Sequence, residues 1–181
     1  MIKKKTVPKM INIVCVKYGN KFGPEYVNKL LYMVQRHLTY DFKFICLTEN
    51  NEGLDNKVEV IPLPKSIPLK RWWWKIYLFK KGVLPENDTN LFFDLDTIIV
   101  KNIDKLIDYK PGNFVGLRAV RRALRPGTNH LGSAVMRWTS YNYSDIWDKF
   151  EPRMQEIVEN YNGDQTWIYE CQNKTHIILP G

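Results

Sequence analysis

Cysteine and histidine are both scarce in this chain, with three of each in 181 residues. The cysteine count is odd. No disulfide framework can be drawn from it, and no paired spacing of the kind that grips zinc is present. Cys15 and Cys46 sit inside apolar runs, where a free thiol behaves as a small hydrophobe. This usage predicts a reducing, cytoplasmic setting. No apolar stretch is long enough to span a bilayer. INIVCV is too short for a secretory leader and runs straight into KYGNK, so the sequons at Asn87, Asn142 and Asn173 read as chance. Internal repeats and low-complexity segments are absent. Acid is in deficit: 19 Asp and Glu stand against 27 Lys and Arg, for a formal charge of +8. That balance favours anionic partners such as nucleotides, phosphorylated acceptors, nucleic acid or a membrane surface, and does not choose among them. No recognised nucleic-acid module is visible.

What remains is a chain that should fold. Hydrophobic residues reach 44% and aromatics 13%, six of them tryptophan. The length suits one domain with one sizeable core. Residues 1–9, MIKKKTVPK, carry no core-forming pattern and are expected to be a flexible basic tail; residues 10–181 form the domain. MINIVCVKY, FKFICLT, VEVIPLP and LFFDL read as strands. GPEYVNKLLYMVQRHL places Val27, Leu30, Leu31, Val34 and Leu38 at helical spacing, with Pro24 near its start. RWWWKIYLFKKG is predicted to be a short helix ended by Gly82, and IDKLIDY a helical turn. NFVGLR and SAVMRW are two further strands. SDIWDKFEPRMQEIVENYNG is a long amphipathic helix with Ser144 as its N-cap and a kink at Pro152. DQTWIYECQ starts another helix, with Asp164 as its cap, and THIILPG is a last strand. Strands alternating with helices predict an α/β architecture: a mostly parallel central sheet flanked by helices.

Within LFFDLDTIIV the chain places two acids in a run that otherwise wants burial, and isolated buried charge is costly. Asp94 and Asp96 are two apart, so on a strand they share a face. They lie at the carboxyl end of the apolar run, the edge of an open α/β sheet where ligands bind. Two carboxylates there suit a hard cation, Mn²⁺ or Mg²⁺, completed by water and substrate phosphates. The same pair also suits an ordinary solvated strand end. Trp72, Trp73 and Trp74 turn about 100° apart on a helix, so at least one ring should be exposed, and an exposed ring could serve as a sugar-stacking platform. RAVRRALRPGTNHLG reads as a long basic loop, and Arg118, Arg121, Arg122 and Arg125 in it could clamp pyrophosphate or stay solvated. Glu49 and Asn50 follow a strand at the same sheet edge and are candidates for reading a base.

The ordered set of motifs resembles the GT-A glycosyltransferases over most of the chain. MINIVCVKYG is similar to their opening nucleotide-binding strand. WWWKIYLFK precedes the acids at the family's distance. LFFDLDTIIVKNIDKL resembles their strand, D-x-D motif and following turn, SAVMRW a later strand, and GDQTWI their Asp-Gln element. The likeness is strongest to the retaining family-eight type and its short phage and bacterial relatives. It implies a Rossmann-like single domain that moves a hexose from a UDP-sugar, UDP-glucose or UDP-galactose favoured, to an acceptor hydroxyl, with Mn²⁺ or Mg²⁺. It further implies that Asp96 binds the metal and Asp94 the metal or ribose. Tyr18 would stack on uracil and Lys75 meet the donor near its phosphates. Asp164 would hold donor-sugar hydroxyls, and Gln165 would sit near the anomeric carbon. Trp74, Glu49, Arg118 and Arg122 are further donor or acceptor candidates. The acceptor is left open among glycan, lipid-linked sugar and protein. Two departures stand out: Gly132 occupies the place of the family's Asn, and only His176 follows the Asp-Gln element, where relatives supply a metal-binding His from a later segment.

Two other readings fit parts of the sequence. FFDLDTI also resembles the opening motif of haloacid-dehalogenase-type phosphatases, with Asp94 as nucleophile and Asp96 as acid/base. That motif, however, belongs near the start of the catalytic unit, commonly with Gly rather than Thr97 after the second Asp. A non-catalytic polyanion or nucleic-acid binder suits the charge, but leaves the acidic pair without a role.

Overall fold

In the computed structural model, residues 10–118, 131–172 and 177–178 are described. The expected basic tail, the loop arginines Arg121, Arg122 and Arg125, and His176 fall outside them. So does the side chain of Arg118, whose backbone ends a strand. Seven strands form one sheet in the order β3-β2-β1-β4-β6-β5-β7. They are β1 (Ile11–Lys17), β2 (Phe42–Thr48), β3 (Val58–Pro62), β4 (Thr89–Phe93), β5 (Val115–Arg118), β6 (Leu131–Thr139) and β7 (Ile177–Ile178). Strands β3, β2, β1 and β4 pair in parallel, as does β5 with β7; β6 runs antiparallel to both β4 and β5.

Alternation sorts the strand residues onto two covered faces. Ile11, Ile13, Cys15, Phe44, Cys46, Leu91 and Phe93 pack under α1 (Pro24–His37). Val14, Ile45, Leu47, Phe92, Met136 and Trp138 pack on the other side. The helices there are α2 (Trp74–Tyr77), α4 (Asp145–Phe150), α5 (Met154–Asn160) and α6 (Asp164–Cys171). Both faces being buried explains why the strands read as near-continuous apolar runs. Helix α1 buries the expected stripe of Val27, Leu30, Leu31 and Val34. It opens on Pro24 and Glu25 and closes on Arg36 and His37, in line with its dipole. All three cysteines are free and buried, and burial pushes the Cys171 thiol up to about 12.

Three local expectations are corrected. Arg71–Trp73 is a 3-10 turn, and α2 is a single turn after it rather than a helix reaching Gly82. Trp73, Trp74, Ile76, Leu78 and Phe79 are all buried, more than one helical stripe can hide, so the chain turns to set them on different sides. The long helix after Ser144 is two helices, split by a 3-10 turn at Glu151–Arg153, because Pro152 lacks an N–H and its ring clashes with the preceding turn. Ser144 holds the expected N-cap position of α4 but has helical backbone angles and makes no side-chain cap bond, whereas Asp164 is the first residue of α6, with Gly163 in the cap position.

The sheet's lower end is tied by polar contacts. Asn12 Nδ2 donates to Asn90 Oδ1 at 3.0 Å and Asn90 Nδ2 to Ser140 Oγ at 2.6 Å, joining β1, β4 and the turn after β6. Between sheet and periphery, α3 (Asp104–Asp108) docks on the end of α1. There the Asp104 carboxylate accepts from the Thr39 amide (2.9 Å), the Thr39 hydroxyl (2.6 Å) and Asn102 Nδ2 (3.0 Å). Partial burial pushes the Asp104 carboxyl up, but the bonds from Thr39 and Asn102 outweigh it and hold the carboxyl below its ordinary value. A depressed folded value stabilises the protein above the unfolded value of about 3.9, and that stabilisation is lost as pH falls through the lower folded one. The stability gap between wild type and Asp104→Ala should therefore be widest near neutral pH and close on acidification below about pH 4. Urea melts across that range measure it, and a gap independent of pH would contradict the assignment.

Candidate active site

The chain runs from β1 outward to β2 and β3, then crosses back to lay β4 on the other side of β1. The carboxyl ends of β1 and β4 therefore flank a topological switch point, where open α/β sheets form crevices. Tyr18 leaves β1 there and Asp94 leaves β4. Because β6 runs backwards, its opening residues Gly132 and Ser133 reach the same rim, and the Asp94 amide donates to Ala134 O at 2.8 Å. A cleft of about 1100 Å³ occupies this edge. Its walls include Tyr18, Trp72, Lys75, Asp94, Asp96 and Asp164, and Gln165 also lines it.

Lys75 is its centre. The ammonium lies 2.7 Å from Asp94 Oδ1, 3.0 Å from Asp94 Oδ2, 3.4 Å from Ser133 Oγ and 3.7 Å from Asp164 Oδ2. Lys75 and Asp164 are buried; Asp94 is half-buried and Asp96 exposed. Asp164 Oδ2 is a buried oxygen with no hydrogen-bond donor. Burial pulls the Lys75 ammonium down, but the charges of Asp164, Asp94 and Asp96 outweigh it and hold it above its ordinary value. Burial raises the Asp94 carboxyl. Lys75 opposes that rise, while Asp164 and Asp96 add to it, and the carboxyl stays above the usual range. Three acids, Asp94, Asp96 and Asp164, thus surround one buried base, while Lys21 and Arg71 also line the crevice. No three His, Cys, Asp or Glu side chains among the described residues converge as a closed metal cage. Asp94 and Asp96 offer hard carboxylate oxygens at an open rim.

The other sequence candidates divide. Tyr18 is part-exposed on the cleft wall, its ring 6.1 Å from that of Trp74. Trp74 itself is 3% exposed and packs edge-on against Tyr77, so it is a core residue and does not line the cleft. The exposed ring of the triplet is Trp72, at 45%. Glu49 stands outside the lining, and its Oε1 accepts from the Gly19 amide, bracing the turn that carries Tyr18. Gly132, in the place of the family's Asn, does line the cleft. Sequence reading missed Ser133, although it opens the strand SAVMRW, and it missed Arg71 and Gly163, both on the wall beside Trp72.

No protein-family model matches the sequence, and no curated protein matches it. Solved structures do. The galactosyltransferase LgtC, in a complex with donor and acceptor sugar analogs, aligns with a TM-score of 0.70 at 13% identity, over 92% of this chain and 72% of that one. The glycosyltransferase GlyE of Streptococcus pneumoniae TIGR4 aligns with a TM-score of 0.71 at 12% identity, over 94% of this chain and 45% of that one. Identity this low carries the backbone arrangement and nothing finer. With its switch point, reversed strand and flanking helices all in this arrangement, the chain has a GT-A-like glycosyltransferase fold.

Proposed function

We propose that the chain is a glycosyltransferase that moves a hexose from a UDP-sugar, UDP-glucose or UDP-galactose favoured, to an acceptor hydroxyl, with Mn²⁺ or Mg²⁺ and with retention of anomeric configuration. One observation carries this reading: a buried lysine set between Asp94 and Asp164, with Asp96 open beside them, at the switch point of a GT-A-like sheet. The donor set fits a hard cation. Two carboxylates at an open rim, without a third protein ligand among the described residues, leave positions for water and diphosphate oxygens, as Mg²⁺ sites commonly do. Asp94 and Asp96 would hold the cation. When bound, it supplies Lewis acidity that neutralises charge gathering on the departing diphosphate.

The remaining roles belong to this chain's own residues. Lys75 donates toward the phosphates from a position already fixed by Asp94 and Ser133, so little reorganisation is needed as charge develops. Asp164 presents a buried oxygen that lacks a donor, and a hydroxyl of the donor sugar satisfies it. Gln165, next in α6, lies near the anomeric carbon. Tyr18 takes the base at the β1 end of the cleft. Retention follows from the family likeness alone. The fold likeness runs to glycosyltransferases, and the phosphatase reading of Asp94 draws no support from it.

A melting screen of nucleotide sugars with and without Mn²⁺ tests the reading. A ligand at about 100 times its Kd adds about 2.7 kcal/mol, which is a rise of roughly 5–10 °C for a domain this size. The rise should appear for UDP-sugars with metal and be largely absent without it. A flat response to every UDP-sugar would overturn the proposal.

A further inference from the structure

Three consecutive tryptophans meet three different fates. Trp73 and Trp74 are 6% and 3% exposed, whereas Trp72 keeps 45% of its surface open and lines the cleft. Trp72 and Lys75 are three residues apart on tight turns, so they share one side of the segment, the side facing the crevice. The indole is held from two directions. The Arg71 guanidinium lies over its ring at 5.7 Å. Gly163 backs its pyrrole edge: a Cβ built there would stand 3.4 Å from Nε1 and 3.8 Å from Cδ1. Gly163 has φ 140°, a backbone that side-chain-bearing residues rarely adopt, and Arg71 itself has φ 55°. Strain of that kind gathers at ligand sites. Gly163 also leads directly into Asp164 and Gln165, so the ring sits next to the pair assigned to the transferred sugar.

The cleft has room for a second substrate. Its volume of about 1100 Å³ exceeds the roughly 300–1,000 Å³ of single-ligand pockets. Tyr18 follows β1, and Trp72 lies against Gly163 at the head of α6. With the nucleotide seated against Tyr18, as proposed above, Trp72 is left for the second substrate. The open part of the indole, in a cleft that Asn162 and Gln165 also line, suits a ligand with one flat C–H face and hydroxyls around its edge. A pyranose ring has that shape; an extended peptide or a lipid chain does not.

Resting on the donor reading above, we infer that Trp72 is the stacking floor of an acceptor subsite, and that the acceptor is the pyranoside end of a glycan. During transfer, the bond from the anomeric carbon to the diphosphate oxygen breaks. A bond to an acceptor hydroxyl oxygen forms, and that hydroxyl's proton departs with the diphosphate or to solvent.

Saturation-transfer NMR with methyl β-galactopyranoside and methyl β-glucopyranoside, in the presence of UDP and Mn²⁺, tests this on the full chain. Calorimetry of UDP with Mn²⁺ is run in parallel on wild type, Trp72→Phe and Trp72→Ala. At least one glycoside should bind wild type, bind Trp72→Phe comparably, and bind Trp72→Ala roughly two- to tenfold more weakly, the worth of one aromatic contact. UDP affinity should not change across the three. Should Trp72→Ala melt early, Trp72→Gln provides the same truncation with a solvated side chain. Absence of glycoside binding to wild type, or equal binding by all variants, overturns the inference. Loss of UDP binding in Trp72→Ala also overturns it, since the ring would then serve the nucleotide. Glycoside binding that depends on Trp72 in a protein that ignores UDP upholds the sugar platform and removes the donor reading alone.

Discussion

Lys75→Met should melt roughly 6–12 °C below wild type. Methionine matches the length of the lysine stem and supplies no charge, so packing is largely kept and the effect is electrostatic. Without the ammonium, buried Asp164 loses the cation 3.7 Å away, and Asp94 loses contacts at 2.7 and 3.0 Å. Removing one partner of a buried pair costs about 3–5 kcal/mol, because the other charge stays desolvated. The Asp94 side chain keeps 29% of its surface in water, which favours the lower end, about 3 kcal/mol. At roughly 2–4 °C per kcal/mol for a domain of this length, the melting shift follows. Calorimetric melts of the single variant, and of Lys75→Met with Asp94→Asn, settle it. The double variant should recover part of the loss, since it removes one of the two stranded charges and leaves Asp164. A single variant that melts with wild type would mean that Lys75 is solvated and the centre of the site is drawn wrongly.

Asp96→Ala should do the reverse, leaving the melting temperature in place and abolishing metal-linked donor binding. Asp96 is exposed at the rim, so truncating it uncovers no buried partner. Under the proposed mechanism it is nonetheless one of two hard oxygen donors for the cation. Losing several kcal/mol of metal-borne charge stabilisation corresponds to a fall on the order of hundredfold or more in UDP affinity with Mn²⁺ and in transfer rate. Calorimetry of UDP with Mn²⁺ reads the binding directly. Unchanged affinity in Asp96→Ala would remove the metal assignment, whatever the fold. The two variants separate two jobs that neighbouring residues perform: Lys75 holds the site together, and Asp96 equips it.

Much of this arrangement is legible in the amino-acid sequence. Strands β1, β2 and β4 announce themselves as Ile-, Val- and Phe-rich runs, and α1 by its stripe of Val27, Leu30, Leu31 and Val34. Asp94 and Asp96 were placed at the carboxyl end of β4 by the apolar run that stops there. These signals are local: period and turn chemistry act over a few residues, and burial on both sheet faces forces the pattern into the sequence. The errors were also local ones with distant causes. The triplet of tryptophans guarantees an exposed ring, but which ring depends on the cleft and on Gly163, far along the chain.

Tertiary structure alone decided the rest. No periodicity says that β6 turns against β4 and brings Ser133 to the rim, or that Lys75 lies between Asp94 and Asp164. Nor does it say that Arg137, buried in β6, donates to the carbonyls of Tyr109 and Lys110 and pins the turn before β5. Each is a meeting of residues distant in sequence. Such meetings are selected by the order in which strands pack and by the cost of leaving buried charge unpaired, and neither leaves a mark at one position in the chain. By itself the sequence determined which segments become strands and helices and where the acids emerge. The packed sheet determined which base those acids surround, and which ring is left facing the crevice.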